Sequence, residues 1–267
     1  MGKYDSSKTR VEPVFNKLIE KDVTGRSWLP QLLRLPVGGN AIQTAPECDV
    51  TIVQRFWGPS ERKLTPPVSL LSWLIRHPED LARCDAASNQ SMPIQRRELL
   101  GGSNGRTEEA LSLLRNNPQG ENWHIFEGET QPDVFIATRD LVVVIEGKRT
   151  EREPTTQTTW MPGRHQMIRH LDGAWEIRGK RQVIGFFIVS DEGGSDNMPA
   201  KWIDFAKNTT SPETLASSLP HRGSSEQNEI ASCFAGVTTW GRVCRELGID
   251  AKCLPDEAPN DQARGAY

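Results

Sequence analysis

Apolar residues recur at helical spacing three times in the first hundred positions. Residues 11–21 and 28–35 form two short amphipathic segments, and residues 67–77 a third, with Val68, Leu70, Leu71, Trp73, Leu74 and Ile75 as its apolar positions. Residues 50–57 fit a strand between them, and Gly38-Gly39-Asn40 and Gly58-Pro59-Ser60 mark turns. From Gly101 the pattern sharpens. A glycine-rich loop precedes Thr107, which can cap a helix carrying Glu108 and Glu109 in its first turn and Ala110, Leu111, Leu113 and Leu114 on its apolar side. Three strands are predicted next, at residues 123–129, 133–138 and 141–148, the last two joined tightly through Arg139-Asp140. A Thr/Pro-rich loop over 150–163 leads into a helix at 164–176 and a buried strand at 183–189. Helices are expected at 198–207, 211–218 and 229–247, ahead of a Pro/Asp/Ala/Gly tail. The pattern divides the chain into a mainly helical region 1–100, an α/β core 101–191 and a helical region 192–267.

Composition narrows the class. The 267 residues are 36% hydrophobic and 25% charged, with eight Trp and a net charge of -3, which excludes a mostly disordered chain and a polybasic arm as the whole protein. No apolar run approaches the roughly 18 to 20 residues of a spanning helix, and the polar N-terminus lacks a signal-peptide hydrophobic region, so no membrane partner is expected. Gly2 and Ser6 fit a myristoylation pattern that is short and common. Five scattered cysteines with no CxxC suit reduced thiols in a cytoplasmic setting and argue against zinc or iron-sulfur ligation.

The stretch from Gln131 to Lys148 carries the chemistry. Asp133 opens one strand, and Glu146 and Lys148 lie at the end of the next; as i and i+2 in a strand they share a face, so two carboxylates and an amine can converge. Phosphodiester hydrolysis calls for this set: carboxylate oxygens hold a hard divalent ion, Mg²⁺ or Mn²⁺ in its place, that polarises the phosphate and acidifies water. The lysine can orient that water and stabilise the pentavalent charge, and a fall in its pKa in such a site would let it accept a proton. The backbone carbonyl of Gly147 offers a further ligand. The bland alternative is a charged pair capping a frayed strand, with Asp133 as a turn residue after proline.

Pro132-Asp133 and Glu146-Gly147-Lys148, on consecutive strands after an acidic helix and before a helix and a strand, resemble the PD-(D/E)xK nuclease superfamily. The resemblance spans residues 106–191. It implies a restriction-endonuclease-like αβββαβ core, metal binding by Asp133 and Glu146, and a catalytic Lys148. Glu61-Arg62-Lys63, Asp250-Ala251-Lys252 and Pro255-Asp256 repeat the fragments without forming an ordered pair, and are set aside. On the downstream helix, Met167, Ile168, Leu171 and Trp175 make an apolar stripe that turns Gln166, Arg169 and His170 the other way. Gln166 and His170, four apart, are similar to the Q-x-x-x-Y motif of the RecB-like branch, with histidine at the tyrosine position. The family often adds a glutamate from the first core helix. Glu109 is the preferred candidate, ahead of Glu108, Glu127 and Glu129.

Between Lys148 and Arg181 the chain has eight cations against four acids, a local excess that a phosphate backbone would require. Arg149, Arg152, Arg164, Arg169 and His170 are its expected nucleic-acid contacts. The leading expectation is a Mg²⁺-dependent nuclease acting on DNA, in restriction, defence or repair, whose N-terminal region serves substrate selection or homodimer contacts. Its rivals are a structured-RNA endonuclease and a non-cleaving nucleic-acid or protein-binding module on the same fold.

Overall fold

The computed structural model describes residues 6–40, 48–81, 92–119, 122–151, 160–161, 163–191 and 197–256. A short π-helical turn, Ser7–Val11, runs into α1 (Glu12–Lys21), followed by α2 (Leu29–Leu32), β1 (Val37–Gly38) and β2 (Ile52–Trp57). Helices α3 (Val68–Arg76), α4 (Ile94–Leu100) and α5 (Asn104–Asn116) precede β3 (Val134–Thr138), β4 (Leu141–Gly147), α6 (Gln166–Ile177) and β5 (Gln182–Val189). The remainder is α7 (Ala200–Thr209), α8 (Pro212–Ser218), α9 (Ser224–Ser232), β6 (Phe234–Thr239) and α10 (Trp240–Glu246).

The strands form one open mixed sheet in the order β1-β6-β5-β4-β3-β2. β2, β3 and β4 are an antiparallel meander, and β4, β5 and β6 run parallel. The all-buried run Leu141 to Gly147 is what a parallel strand covered on both faces requires. One face packs Val11, Phe15 and Leu18 of the N-terminal helix against Val134, Ile136, Val143 and Ile145, with Trp240 and Val243 of α10 beside them. The other packs Met167, Ile168 and Leu171 of α6 on Phe135, Val142 and Val144, with Trp202 of α7 and Ile230 of α9 beyond. A third apolar cluster gathers α3, α4 and α5 around Leu71, Leu74, Leu99 and Leu114, closed by Phe126.

Several expectations are corrected. The sheet is not confined to 101–191: β1 and β2 come from before that region and β6 from after it. Residues 123–129 form no strand; apart from them, Thr130 makes one isolated bridge to Leu64. The first strand of the meander is instead β2, paired through Trp57↔Val134. The helix expected over 229–247 is two helices flanking β6. There Phe234, Val237 and the β-branched pair Thr238-Thr239 are buried beside β5. Gly236, at φ +107°, takes a backbone shape closed to other residues, with Val37 O only 2.1 Å from where its Cβ would stand. Helix α5 starts at Asn104, with Ser103 as its N-cap, three residues before Thr107. No helix among the described residues is long and apolar enough to cross a membrane. Cys48, Cys233 and Cys244 are free thiols.

Candidate functional site

The β3–β4 hairpin builds the site. Its Arg139-Asp140 turn is held by Thr138, whose Oγ1 accepts from the N–H groups of Asp140 (3.1 Å) and Leu141 (2.9 Å). The register runs from Ala137↔Val142 to Val134↔Ile145. One step further it sets Asp133 opposite Glu146. Residues directly opposed in an antiparallel pair have Cβ atoms about 4.5–5.5 Å apart, and like charges so placed repel. Asp133 Oδ2 accepts the Gly147 N–H at 2.7 Å, which ties the two strand ends together. A Cβ on Gly147 would stand 2.7 Å from Val11 Cγ2 and 2.9 Å from Trp240 Cζ2, so only glycine permits this closure.

Lys148 continues the Glu146 face. Its Nζ donates to Glu146 Oε1 at 2.9 Å and to Gln166 Oε1 at 3.0 Å, while Trp240 Nε1 donates to the Lys148 carbonyl at 3.1 Å. Gln166 opens α6, whose apolar stripe lies on β4 and β5 and so aims the start of the helix at the end of β4. Asp133, Glu146, Lys148 and Gln166 therefore meet at one sheet edge, outside the carboxyl ends of the parallel strands, where open α/β sheets bind their ligands.

The electrostatics are unequal. Burial and the facing Glu146 charge push the Asp133 carboxyl well above the usual carboxylate range, more than the Gly147 N–H and Lys148 pull it back. Burial also opposes ionisation of Glu146, but the hydrogen bond and charge of His170 and the Lys148 ammonium outweigh it and hold its pKa down. For Lys148, burial favours loss of the proton and the Glu146 and Asp133 charges more than reverse that, so its pKa is raised. The surroundings of Lys148 therefore do not favour the fall in pKa that would ready it to accept a proton. Two hard oxygen donors with mutual repulsion suit a divalent cation, since Mg²⁺ is commonly held by one or two carboxylates with water and phosphate oxygens completing its shell. Among the described residues no three His, Cys, Asp or Glu side chains group closely enough to hold a metal by themselves.

Other expected contacts land elsewhere. Glu109 lies on the exposed side of α5, paired with Arg106, and does not join the site. Arg164 is fully buried: its Nε and Nη2 donate to Glu127 at 2.7 and 3.0 Å, and Nη2 also to Asp172 at 2.7 Å. It is a core ion pair, not a phosphate contact. His170 is buried too, with Nε2 2.9 Å from Glu146 Oε2 and Nδ1 2.9 Å from Thr130 Oγ1. Arg164 was expected to meet phosphate because it belongs to the local excess of cations, and His170 to face outward because α6 has a one-sided apolar stripe. The Leu64–Thr65 segment covers its second side, where Gly173 lets Leu64 Cβ come within 3.1 Å of the place its own Cβ would occupy. Arg169 keeps part of its surface exposed but donates to the Gly128 carbonyl at 3.0 Å. Arg149 follows Lys148 at the rim, where its Nη2 donates to Asp256 O at 2.6 Å, and Arg10 beside it donates to Pro255 O at 2.7 Å. Arg152 lies outside the described residues. Arg178 and Arg181 bind carbonyls at the C-terminal end of α6, one strand length from Lys148. Chain reversal through α6 and β5 has split the basic stretch between the two ends of the sheet.

One acid was missed. Glu61, set aside with Glu61-Arg62-Lys63, adds its charge to those raising Asp133, and its Oε1 accepts from Ser7 Oγ at 3.1 Å. Its route to the site is the β2–β3 register: Trp57 pairs with Val134, so the residues just after β2 arrive beside Asp133. Reading 50–57 as the first meander strand would have found it. The chain matches no protein-family model, no curated protein and no solved structure.

Proposed function

We propose that the protein is a metal-dependent nuclease that hydrolyses phosphodiester bonds in DNA, on a restriction-endonuclease-like core. The observation that carries this reading is the convergence of Asp133, Glu146 and the doubly held Lys148 at the end of β4. The element order supports it: with α2 and β1 set aside, α1, the β2-β3-β4 meander, α6 and β5 parallel to β4 follow an αβββαβ order, with α3 to α5 inserted between the first two strands of the meander.

Asp133 and Glu146 would hold the divalent cation, which supplies Lewis-acid polarisation of the phosphate and an acidified water. Lys148, held by Glu146 and Gln166, would orient the attacking water and neutralise charge developing on the phosphate oxygens. Gln166 spends its carbonyl oxygen on Lys148, which leaves its amide NH₂ to donate to a phosphate oxygen. Arg149, which donates to the Asp256 carbonyl at the rim, would meet the flanking backbone.

The test is cleavage of circular and linear DNA with Mg²⁺ or Mn²⁺, against EDTA, by wild type and Lys148→Ala. Wild type should cut and the variant should lose about 10²–10⁴-fold in rate, the range for a positioned polar catalyst. Equal cutting by Lys148→Ala removes the assigned site. Cleavage of structured RNA alone makes the protein a ribonuclease, and binding without cleavage of either makes it a nuclease-fold binding module.

A further inference from the structure

Beyond the residues that would touch substrate, Glu146 has a support of its own. Each of its oxygens has a different donor: Lys148 on Oε1 and His170 on Oε2, both at 2.9 Å. A carboxylate only accepts, so the His170 nitrogen facing it carries the proton. The other ring nitrogen meets Thr130 Oγ1 at 2.9 Å, so the imidazole, with no exposed surface, has both nitrogens occupied. Thr130 is in turn fixed at its backbone. Its N–H donates to Leu64 O at 2.9 Å and its carbonyl accepts from Leu64 N at 2.8 Å. An unbroken chain of bonds therefore runs from the Leu64 backbone through Thr130 and His170 to Glu146. Every carboxylate oxygen has two lone pairs, so one on each oxygen stays available.

We propose that His170, anchored by Thr130, is a positioning residue that fixes the Glu146 carboxylate in the orientation from which it takes a divalent cation together with Asp133. The inference rests on the nuclease reading and deepens it. It gives the histidine at the expected tyrosine position a task that an exposed nucleic-acid contact could not perform. Partners of this kind, bonded to a metal-binding group and not to the metal, commonly govern affinity by fixing geometry. Gln166, one turn earlier on α6, holds Lys148, so a single helix face sets both members of the Glu146–Lys148 pair.

The experiment measures Mn²⁺ binding by the full chain from the paramagnetic resonance of free Mn²⁺, beside the urea midpoint and the Mg²⁺-dependent cleavage rate. His170→Ala should weaken Mn²⁺ binding by about 10–100-fold. His170→Gln, whose amide can still donate to Glu146, should restore most of it, and Thr130→Val should weaken it less than the alanine variant does. Rescue by glutamine separates positioning from mere support of the fold. If His170→Ala does not fold, the glutamine and valine variants decide. Mn²⁺ affinity unchanged in Thr130→Val and in a folded His170 variant overturns the inference while wild-type cleavage leaves the nuclease reading standing. A wild type that neither binds Mn²⁺ nor cleaves overturns both.

Discussion

Helix α6 carries two buried polar networks with opposite balance. Towards its start, Gln166 and His170 reach the Asp133–Glu146–Lys148 group, where two carboxylates face one ammonium and one of them is driven far up in pKa. On its other side Asp172 meets Arg164 at 2.7 Å, Arg222 at 2.7 Å and His221 at 3.3 Å, and Arg164 is shared with Glu127. There burial is overcome by opposite charge: Asp172 is held well below the usual carboxylate range and Arg164 above the usual guanidinium value. The second network is complete within the chain; the first lacks positive charge. A network that satisfies itself locks α6 against α8 and the segment before β3, whereas in the first an arriving cation would relieve the repulsion between two carboxylates, as the proposed function requires.

Substitutions can break this contrast. The largest effect is expected from Arg164→Met, which leaves Glu127 and Asp172 buried without their shared cation and should cost about 3–5 kcal/mol in urea unfolding. A loss below about 1 kcal/mol, the worth of an exposed pair, would put the Arg164 network in the same class as a surface ion pair.

Next comes the pH dependence of His165, which lies between the networks. Burial first, then the Arg164 and His170 charges, push its pKa down to about 3. The unfolded chain takes up that proton near pH 6.5 and the folded chain refuses it until about pH 3. Stability contributed by this group is therefore present above pH 6.5 and lost as pH falls through the window, with a slope of up to about 1.4 kcal/mol per pH unit. Asp172 acts in the same direction but only below the ordinary carboxylate pKa of about 4. Urea midpoints from pH 7 to 4 should fall steeply in wild type and less steeply in His165→Leu.

The smallest effect sharpens the first network. Asp133→Asn removes one of two facing carboxylates while its amide oxygen can keep the Gly147 N–H. It should stabilise the fold by about 0.5–1 kcal/mol and abolish cleavage. A destabilised Asp133→Asn would show that the acid pair is already compensated, and the contrast would fail.

Much of the first network was legible because it is local. The i, i+2 spacing of Glu146 and Lys148, the apolar run before them and the two-residue hairpin determine which side chains meet. Gln166 followed from helical spacing. Glu61, Arg164 and His170 were not legible in their true roles, since each depends on which distant segment covers which face. The Leu64–Thr130 bridge that buries the second side of α6 joins residues 66 positions apart, and nothing in α6 itself announces it. β6 was hidden for a related reason. Phe234 and Val237 are three apart, which suits a helix as well as a strand, and only the neighbouring β5 selects the strand.

The sheet order also sets a timetable. Val37 of β1 pairs with Val237 of β6, about 200 positions later, and Trp240 leans on Gly147 from just beyond β6. At synthesis rates of about 5–20 residues per second, β1 waits roughly 10–40 s for its partner to emerge. Asp133, Glu146 and Lys148 leave the ribosome well before the tryptophan that walls them. A nascent chain would thus hold the acids of the site before it holds their enclosure, which is complete only once β6 and Trp240 have followed.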